Sequence, residues 1–175
     1  KRFMTPGMPN RQTLSVPPGA QWRQSARRAL ATETEGMQQL IAALDGALGD
    51  ALEQSVEVIR KARGRVVMTG MGKSGHIARK IAATFASTGT PAQFVHPAEA
   101  SHGDLGMVMR GDVALMLSNS GDTPEVADMI AHTRRFDIPL IGVASRAEST
   151  LMRQSDVALL LPPAPEACDQ GIVPT

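Results

Sequence analysis

The chain has 175 residues, a formal net charge of +1 at pH 7, 42% hydrophobic and 20% charged residues, and 3% aromatic residues with no tyrosine. This balance is ordinary for one globular domain, and it excludes the basic surface and stacking aromatic side chains expected of a nucleic-acid-binding protein. The single cysteine, Cys168, excludes an internal disulfide. No apolar run has the length of a membrane span or the layout of a signal peptide. We therefore expect a cytoplasmic protein that binds small molecules and has neither nucleic-acid nor membrane partners.

The first 19 residues are rich in proline and glycine and lack hydrophobic periodicity, which predicts a flexible arm (1–19) ahead of one domain over residues 20–175. Apolar residues then recur at three- and four-residue spacing. This pattern predicts a helix over about 21–44 and a second helix over 50–62. The apolar face of the first helix is compatible with packing within one chain and with packing between subunits.

The rest of the chain alternates short apolar runs with amphipathic segments. We predict strands at 65–69, 92–96, 112–118, 139–144 and 157–161, and helices at 74–88, 124–136 and 149–155. Uniformly apolar strands are typical of a parallel sheet that helices cover on both faces. The predicted fold class is α/β, a three-layer, doubly wound, mostly parallel five-stranded sheet of the flavodoxin-like kind, preceded by N-terminal helices.

The strongest motif is Ser118-Asn119-Ser120-Gly121-Asp122-Thr123, which follows the third predicted strand and precedes a helix. Its three hydroxyl groups and the free N–H groups of a helix start would converge on one point, where the helix dipole favours negative charge. A single serine or threonine there would indicate only a helix cap. Three hydroxyls around a glycine at the carboxyl end of a strand favour a phosphate site.

A second glycine-rich turn, Gly70-Met71-Gly72-Lys73-Ser74-Gly75, follows the first predicted strand. It is not a nucleotide-binding P-loop, because Val67 stands where that motif needs a glycine. The glycines fit the dinucleotide spacing, but Lys73 crowds the turn and no acidic residue ends the second strand. What the turn presents is Ser74 and Lys73, which is either an exposed turn lysine or a cation for a phosphate or a developing oxyanion.

Two histidines, His96 and His102, belong to a segment that also contains Glu99 and Asp104. Their spacing matches no standard zinc pattern, so a required metal is the less favoured interpretation. Histidines near a sugar site more often donate hydrogen bonds to hydroxyl groups or move protons, and purely structural histidines are a third interpretation.

Two isolated carboxylates are candidate general bases. Glu125 stands in the first turn after the phosphate motif, and Glu166 stands after the last predicted strand. A general base must reach a substrate proton, and spacing alone does not choose between the two. An acidic residue at position 125 also has a simple explanation in the helix dipole.

Five segments together resemble the arabinose-5-phosphate isomerases, a branch of the sugar isomerase (SIS) domain family. The resemblance covers about residues 25–175, and its segment HPAEASHGDLGM is specific to this branch. The segments are GMGKSGHIARK (70–80), STGTP (87–91), HPAEASHGDLGM (96–107), SNSGDT (118–123) and EACDQGIVPT (166–175).

The resemblance implies an SIS fold and the reversible conversion of D-ribulose 5-phosphate to D-arabinose 5-phosphate, for synthesis of the Kdo sugar of lipopolysaccharide. It also implies a tetramer that needs no cofactor and no metal, although zinc can bind at His96 and inhibit. The residues that the resemblance makes catalytic are Lys73, Glu125 and Glu166, and those that it places around the sugar phosphate are Ser74, Gly89, Thr90, His96, His102, Ser118, Asn119, Ser120 and Thr123.

The end of the chain departs from the family pattern. The common Glu-Ala-Cys-Pro-Leu-Gly reads EACDQG over 166–171, so Asp169 replaces a proline and loosens the backbone beside Glu166. The family continues past this point with further helices, one carrying a histidine of the site, and often with tandem CBS domains. We therefore expect an incomplete carboxyl-terminal end, no CBS domains in this chain, and poor turnover by this chain alone.

Two other functions stay open at this point. One is an SIS isomerase that acts on another sugar phosphate, and the other is a sugar-phosphate sensor that regulates a partner without catalysis. The pathway also stays open among lipopolysaccharide, capsule and sugar-alcohol metabolism. An oxidoreductase that uses a dinucleotide is the least favoured, because the glycine-rich turn lacks the acidic partner that such a cofactor requires.

Overall fold

A computed structural model describes residues 19–168 of the chain. The chain divides into two compact units, one of residues 1–35 and 165–175 and the other of residues 36–164. The predicted arm lies outside the described residues except for Gly19, and residues 169–175 lie outside them as well.

The described residues form helices and strands in the predicted alternation. The helices are α1 (Gly19–Ala43), α2 (Ala47–Lys61), α3 (Gly72–Ser87), α4 (Pro97–Ser101), α5 (Ala127–Arg135) and α6 (Thr150–Gln154). The strands are β1 (Val66–Gly70), β2 (Ala92–Phe94), β3 (Val113–Leu117), β4 (Leu140–Ala144) and β5 (Val157–Leu160). Two short 3-10 turns complete the set, η1 (Asp104–Met107) and η2 (Pro124–Val126).

The five strands form one sheet in the order β2-β1-β3-β4-β5, and every pair of neighbours is parallel. This is the doubly wound, flavodoxin-like order. The predicted five-stranded parallel α/β fold is therefore confirmed.

Two apolar cores cover the two faces of the sheet, because successive strand residues point to opposite faces. On one face Val66 and Met68 of β1 pack with Ala78 of α3 and with residues of α2. On the other face Val67 packs with the helices α4, α5 and α6, for example with Met129 of α5. The strands are buried between these layers, which explains why their sequence is uniformly apolar.

The connections reverse direction between β1 and β3, which are neighbours in the sheet. The chain runs from β1 outward to β2 and from β3 outward to β4, so the carboxyl ends of β1 and β3 flank the topological switch point, where ligands bind in such sheets. Gly70 pairs with Leu117 at the last residue of each strand. The two polar turns that follow therefore start side by side, about 4.8 Å apart.

Two local predictions differ from the structure. The sequence predicts that the second strand reaches His96, but β2 ends at Phe94, because Pro97 opens the short helix α4 and holds His96 at its start. The helix predicted from Pro124 begins as the turn η2, in which Val126 N–H donates to the Thr123 carbonyl at 3.1 Å. Such tight turns are common at helix starts.

A buried carboxylate links the strands at the amino-terminal edge of the sheet. Asp112, whose side chain is 4% exposed, accepts hydrogen bonds from Arg65 N–H at 2.8 Å and Met109 N–H at 3.0 Å. The Arg65 guanidinium lies 3.8 Å from the same carboxylate and donates to Gln93 Oε1 and to the Met107 carbonyl. This network ties the loop before β3 to β1 and β2, and so it sets the start of three strands.

The helix α1 carries apolar side chains on an exposed face. In unit 36–164, Met37 and Ile41 are 58% and 62% exposed, and their spacing of four residues puts them on one face of α1. Leu44, which follows the end of the helix, is 41% exposed. Although α1 has 25 residues, neither it nor any other helix within 19–168 is apolar enough to cross a bilayer.

Candidate active site

The loop 118–123 follows β3 directly and folds back on itself through its own hydroxyl groups. The hydroxyls of Ser118 and Thr123 share a hydrogen bond of 2.8 Å, and Ser118 Oγ also accepts the Gly121 N–H at 3.1 Å. Thr123 precedes η2 but makes no side-chain cap to it. The simple helix-cap explanation therefore does not account for Thr123, whose hydroxyl lies beside that of the buried Ser118 instead.

Gly121 is required by the shape of this loop. Its φ is +70°, in the left-handed region that favours glycine, and a Cβ atom there would overlap the Ser149 hydroxyl. The Gly121 carbonyl accepts the Leu151 N–H at 3.0 Å. The glycine of the motif therefore allows the loop to lie against the start of α6.

The glycine-rich turn after β1 lets α3 begin in close contact with the sheet. A Cβ atom on Gly70 would lie 2.8 Å from the Leu117 carbonyl, and one on Gly75 would overlap the Gly70 carbonyl. Helix α3 has 16 residues and starts with no side-chain cap from Met71. The amino end of α3 therefore lies at the switch point, where the helix dipole favours an anion.

Lys73 and Ser74 stand in the first turn of α3. Lys73 is exposed and Ser74 is half-buried. Because the α3 turn and the loop 118–123 start side by side, the structure brings these two residues to the same crevice as Ser118 and its neighbours. This arrangement unites a cation, hydroxyls and helix N–H groups.

His96 lies on the α3 side of β2. Its ring meets the Phe94 ring edge-on with centroids 6.3 Å apart, and the Arg79 guanidinium lies 4.1 Å from the Phe94 ring centre. A Cβ atom on Gly75 would be 3.6 Å from Phe94, so Phe94 bridges the start of α3 and His96. The Nδ1 atom of His96 is buried and has no hydrogen-bond partner within residues 19–168.

His102 and Glu125 lie on neighbouring elements. His102 ends α4, Glu125 stands in η2, both side chains are exposed, and α4 packs against η2 and α5. The histidine-bearing helix and the turn with Glu125 are thus adjacent beyond the carboxyl edge of the sheet. In the part of the chain that the structure describes, no three His, Cys, Asp or Glu side chains form a group that could hold a metal ion.

Three predicted site residues are not brought to this crevice by the unit 36–164. Gly89, at φ +95°, and Thr90 lie in the turn before β2, next to Pro91, whose carbonyl accepts the Val66 N–H at the amino edge of the sheet. Glu166 is exposed and belongs to the other compact unit. The roles of these three residues stay predictions.

Ser145 and Thr150 contact the phosphate motif but were not predicted from the sequence. Ser145 Oγ donates to Asn119 Oδ1 at 2.7 Å, and Thr150 N–H donates to Asp122 Oδ1 at 2.8 Å. Thr150 also holds the pKa of Asp122 below its usual range, chiefly through this backbone hydrogen bond. Since 26 and 28 residues separate the partners, no local pattern points to them. The available signal was that Ser145 directly follows a predicted parallel strand and that Thr150 stands in the first turn of the helix predicted after it.

Comparison with known proteins agrees with this architecture. Residues 58–175 match the model of the SIS domain, and the chain belongs to the SIS domain family. The arabinose 5-phosphate isomerase KdsD of Yersinia pestis is 45% identical over 163 residues, which are 93% of this chain and 48% of that protein. The chain therefore spans about half the length of the curated relatives that it matches.

Two solved structures extend the comparison. The structure of Escherichia coli CFT073 c3406 in complex with arabinose 5-phosphate has a TM-score of 0.83 and 36% identity, and the match covers 91% of this chain and 82% of that one. A structure from Listeria monocytogenes has a TM-score of 0.85 at 24% identity with the same coverage, which shows the fold alone.

Proposed function

We propose that this chain is the sugar-phosphate-binding core of an arabinose-5-phosphate isomerase, which interconverts D-ribulose 5-phosphate and D-arabinose 5-phosphate for synthesis of the Kdo sugar. The observation that supports the proposal is the pairing of Gly70 with Leu117 at the ends of β1 and β3, from which the α3 start with Lys73 and the hydroxyl-rich loop 118–123 follow side by side. The relatives support the choice of sugar, because KdsD proteins bear the name of this activity and c3406 is complexed with arabinose 5-phosphate.

The phosphate of the substrate is held in this proposal by the loop 118–123 together with the α3 start. Ser118, Ser120 and Thr123 supply hydroxyl donors, and Ser74 and the first N–H groups of α3 supply donors from the opposite side. Asn119 adds an amide. A remote phosphate grip of this kind provides the binding energy that orients the reacting carbons.

The reaction moves one proton between neighbouring carbons. A base removes a proton from C1 of ribulose 5-phosphate, the electrons form an enediolate, and a proton returns to C2 while a hydroxyl proton moves from O1 to O2. In our proposal Lys73 stabilises the enediolate oxygen and assists ring opening, and Glu125 or Glu166 relays the carbon proton. His96 and His102 contact the sugar hydroxyls. The route uses side chains alone and calls for no cofactor and no metal.

Zinc at His96 is an inhibitory ligand in this proposal. The His96 Nδ1 is a buried nitrogen without a partner in the described chain, and an imidazole nitrogen is a common zinc ligand. Activity should survive treatment with a chelator, and added zinc should inhibit the wild type more than His96→Ala. Loss of activity on chelation that zinc restores would contradict this part of the proposal.

We also propose a cytoplasmic homo-tetramer. The exposed apolar side chains of Met37, Ile41 and Leu44 support an oligomer, because large exposed apolar patches usually mark contacts. The positions of Gly89 and Thr90 at the amino edge are compatible with a role in a pocket of a second copy. Light scattering of the wild type and of Ile41→Glu tests this, and a wild type that is monomeric at micromolar concentration would contradict it.

The decisive experiment is a coupled assay of the full-length gene product with ribulose 5-phosphate and with arabinose 5-phosphate. Turnover in both directions supports the isomerase. Turnover of a different sugar phosphate alone would favour another SIS isomerase, and tight binding of sugar phosphates without turnover would favour a sensor. The present chain assayed beside the full-length product measures what residues 1–175 contribute alone.

A further inference from the structure

The loop 118–123 is hydrogen-bonded to the segment that runs from the end of β4 into the first residues of α6. We call residues 145–151 the bracing segment. Four hydrogen bonds join it to the loop 118–123: Ser145 N–H to the Asn119 carbonyl (3.0 Å), Ser145 Oγ to Asn119 Oδ1 (2.7 Å), Thr150 N–H to Asp122 Oδ1 (2.8 Å) and Leu151 N–H to the Gly121 carbonyl (3.0 Å). The contacts involve three positions of the loop, so its backbone is fixed on one side along half its length.

Two of these bonds depend on side chains, and each orients a polar group of the loop. The Ser145 hydroxyl holds the Asn119 oxygen toward the bracing segment, so the NH2 group on the same planar amide points away from that oxygen. An NH2 group is a donor, which an anion accepts. Ser145 therefore determines which end of the Asn119 amide the crevice can use.

Asp122 needs to be directed away from the ligand, because a carboxylate in a phosphate-binding loop would repel the phosphate. The structure directs it to the start of α6, where it accepts the Thr150 N–H. Two cations of that region, Arg146 and Arg153, further favour its charged form and lower its pKa. The negative charge is thus directed toward α6, whereas the hydroxyls of Ser118 and Thr123 contact each other within the loop.

We propose that Ser145 and Asp122 are positioning residues of the phosphate site, which hold the loop 118–123 in the shape that presents its hydroxyls to one phosphomonoester. The inference rests on the proposed function for the identity of the ligand. Without the brace, the loop must be ordered at the moment of binding, and this cost reduces affinity. The effect should fall on binding and not on the chemical step, since neither residue is placed at the reacting carbons.

The test compares Ser145→Ala, Asp122→Ala and Asp122→Asn with the wild type in the full-length protein. We measure the dissociation constant of inorganic phosphate by calorimetry, then KM and kcat for ribulose 5-phosphate. We expect Ser145→Ala and Asp122→Ala to raise both the phosphate dissociation constant and KM about tenfold, with kcat within about twofold. Asp122→Asn keeps the oxygen that accepts the Thr150 N–H, so it should stay within about threefold of the wild type. Asp128→Ala, which removes an exposed carboxylate of α5, is the matched control.

The outcomes separate this inference from the proposed function. Phosphate affinity in Ser145→Ala and Asp122→Ala equal to that of the wild type would overturn it, and so would a drop in kcat at constant KM. Should Asp122→Ala unfold by circular dichroism, Ser145→Ala decides alone, because its backbone bond to Asn119 remains. A wild type that binds phosphate but turns over no sugar phosphate would contradict the isomerase, and weaker phosphate binding in the variants would then still support the brace.

Discussion

The hydroxyl groups of Ser118 and Thr123 lie 2.8 Å apart, although they stand at opposite ends of the phosphate motif. Ser118 Oγ meets both the Thr123 hydroxyl and the Gly121 N–H, so one buried oxygen closes the loop. One of the two hydroxyl protons is used in this bond, so the pair would offer the other proton to a phosphate that enters the crevice. In the proposed function, closure of the loop and recognition of the phosphate would depend on the same oxygen.

Ser118→Ala should weaken substrate binding, because it removes a donor to a charged group and frees the Gly121 N–H. We expect KM to rise about tenfold or more, as a hydrogen bond to a charged group contributes about 1.5–3 kcal/mol. Steady-state kinetics with ribulose 5-phosphate measure this change in KM. Ser87→Ala is the control, since its exposed hydroxyl donates only to the Thr84 carbonyl of its own helix. An unchanged KM in Ser118→Ala would remove Ser118 from the phosphate site.

Lys73→Ala should affect the chemical step. If its ammonium group stabilises the enediolate, kcat should fall by about 100-fold to 1,000-fold, as is typical when one group that stabilises a developing charge is removed. The matched control is Lys80→Ala, an exposed lysine further along α3. Near-normal turnover of Lys73→Ala at saturating substrate would show that the lysine has no part in catalysis.

Asp122 should contribute to stability in a way that depends on pH. Its pKa is lowered from 3.8, chiefly by the Thr150 backbone N–H, so the folded chain releases this proton more readily than the unfolded chain. The stabilisation is therefore complete above pH 3.8 and is lost as the pH falls through the lowered pKa.

The comparison that isolates this contribution is the free energy of unfolding of the wild type and Asp122→Asn, measured by urea denaturation from about pH 2.5 to 7. The difference should be constant from about pH 5 upward and shrink at lower pH. Asp128→Asn should show no such trend. A difference that grows toward low pH would have the wrong sign and refute the assignment.

Asp112→Ala should destabilise the fold without changing the chemistry of folded molecules. The N–H groups of Arg65 and Met109 lose their buried carboxylate acceptor, which we expect to cost about 2–4 kcal/mol in total. Urea denaturation measures the loss, and Asp112→Asn, which keeps one acceptor oxygen, should recover part of it. Because Asp112 lies at the amino edge of the sheet, kcat per folded molecule should be unchanged. A selective loss of kcat would connect that edge to catalysis.

The parts of the fold that follow from periodicity were predictable. Strands such as Val113–Leu117 are uniformly apolar because both faces are covered, and the sequence carries that pattern directly. The helix α4 and the turn η1 were missed, while the equally short α6 was predicted, because periodicity over four or five residues is too weak to be a consistent signal. The alternation of strands and helices was enough to predict a doubly wound sheet, but it did not give the order of the strands.

For the candidate site, local motifs pointed to Lys73, Ser118 and Thr123, which each stand shortly after a strand, and their roles stay predictions. They were not enough to find the contact of Asp122 with Thr150, because that contact joins residues 28 apart and exists only once β4 lies beside β3. The same limit applies to Gly89 and Thr90. They lie at the amino edge because α3 leads the chain from the carboxyl end of β1 back to the start of β2, and no local motif encodes that path.

The reversal of connections between β1 and β3 has a consequence for how such a protein can diversify. The proposed catalytic residue Lys73, the hydroxyls of the loop 118–123 and the histidine segment 96–102 belong to three separate stretches of chain, which follow β1, β3 and β2. The sequence or length of one stretch can therefore change while the other two stretches and the strands before them stay the same. If the proposed roles hold, exchange of the histidine segment alone would change which sugar is accepted and leave phosphate binding by the loop 118–123 unchanged.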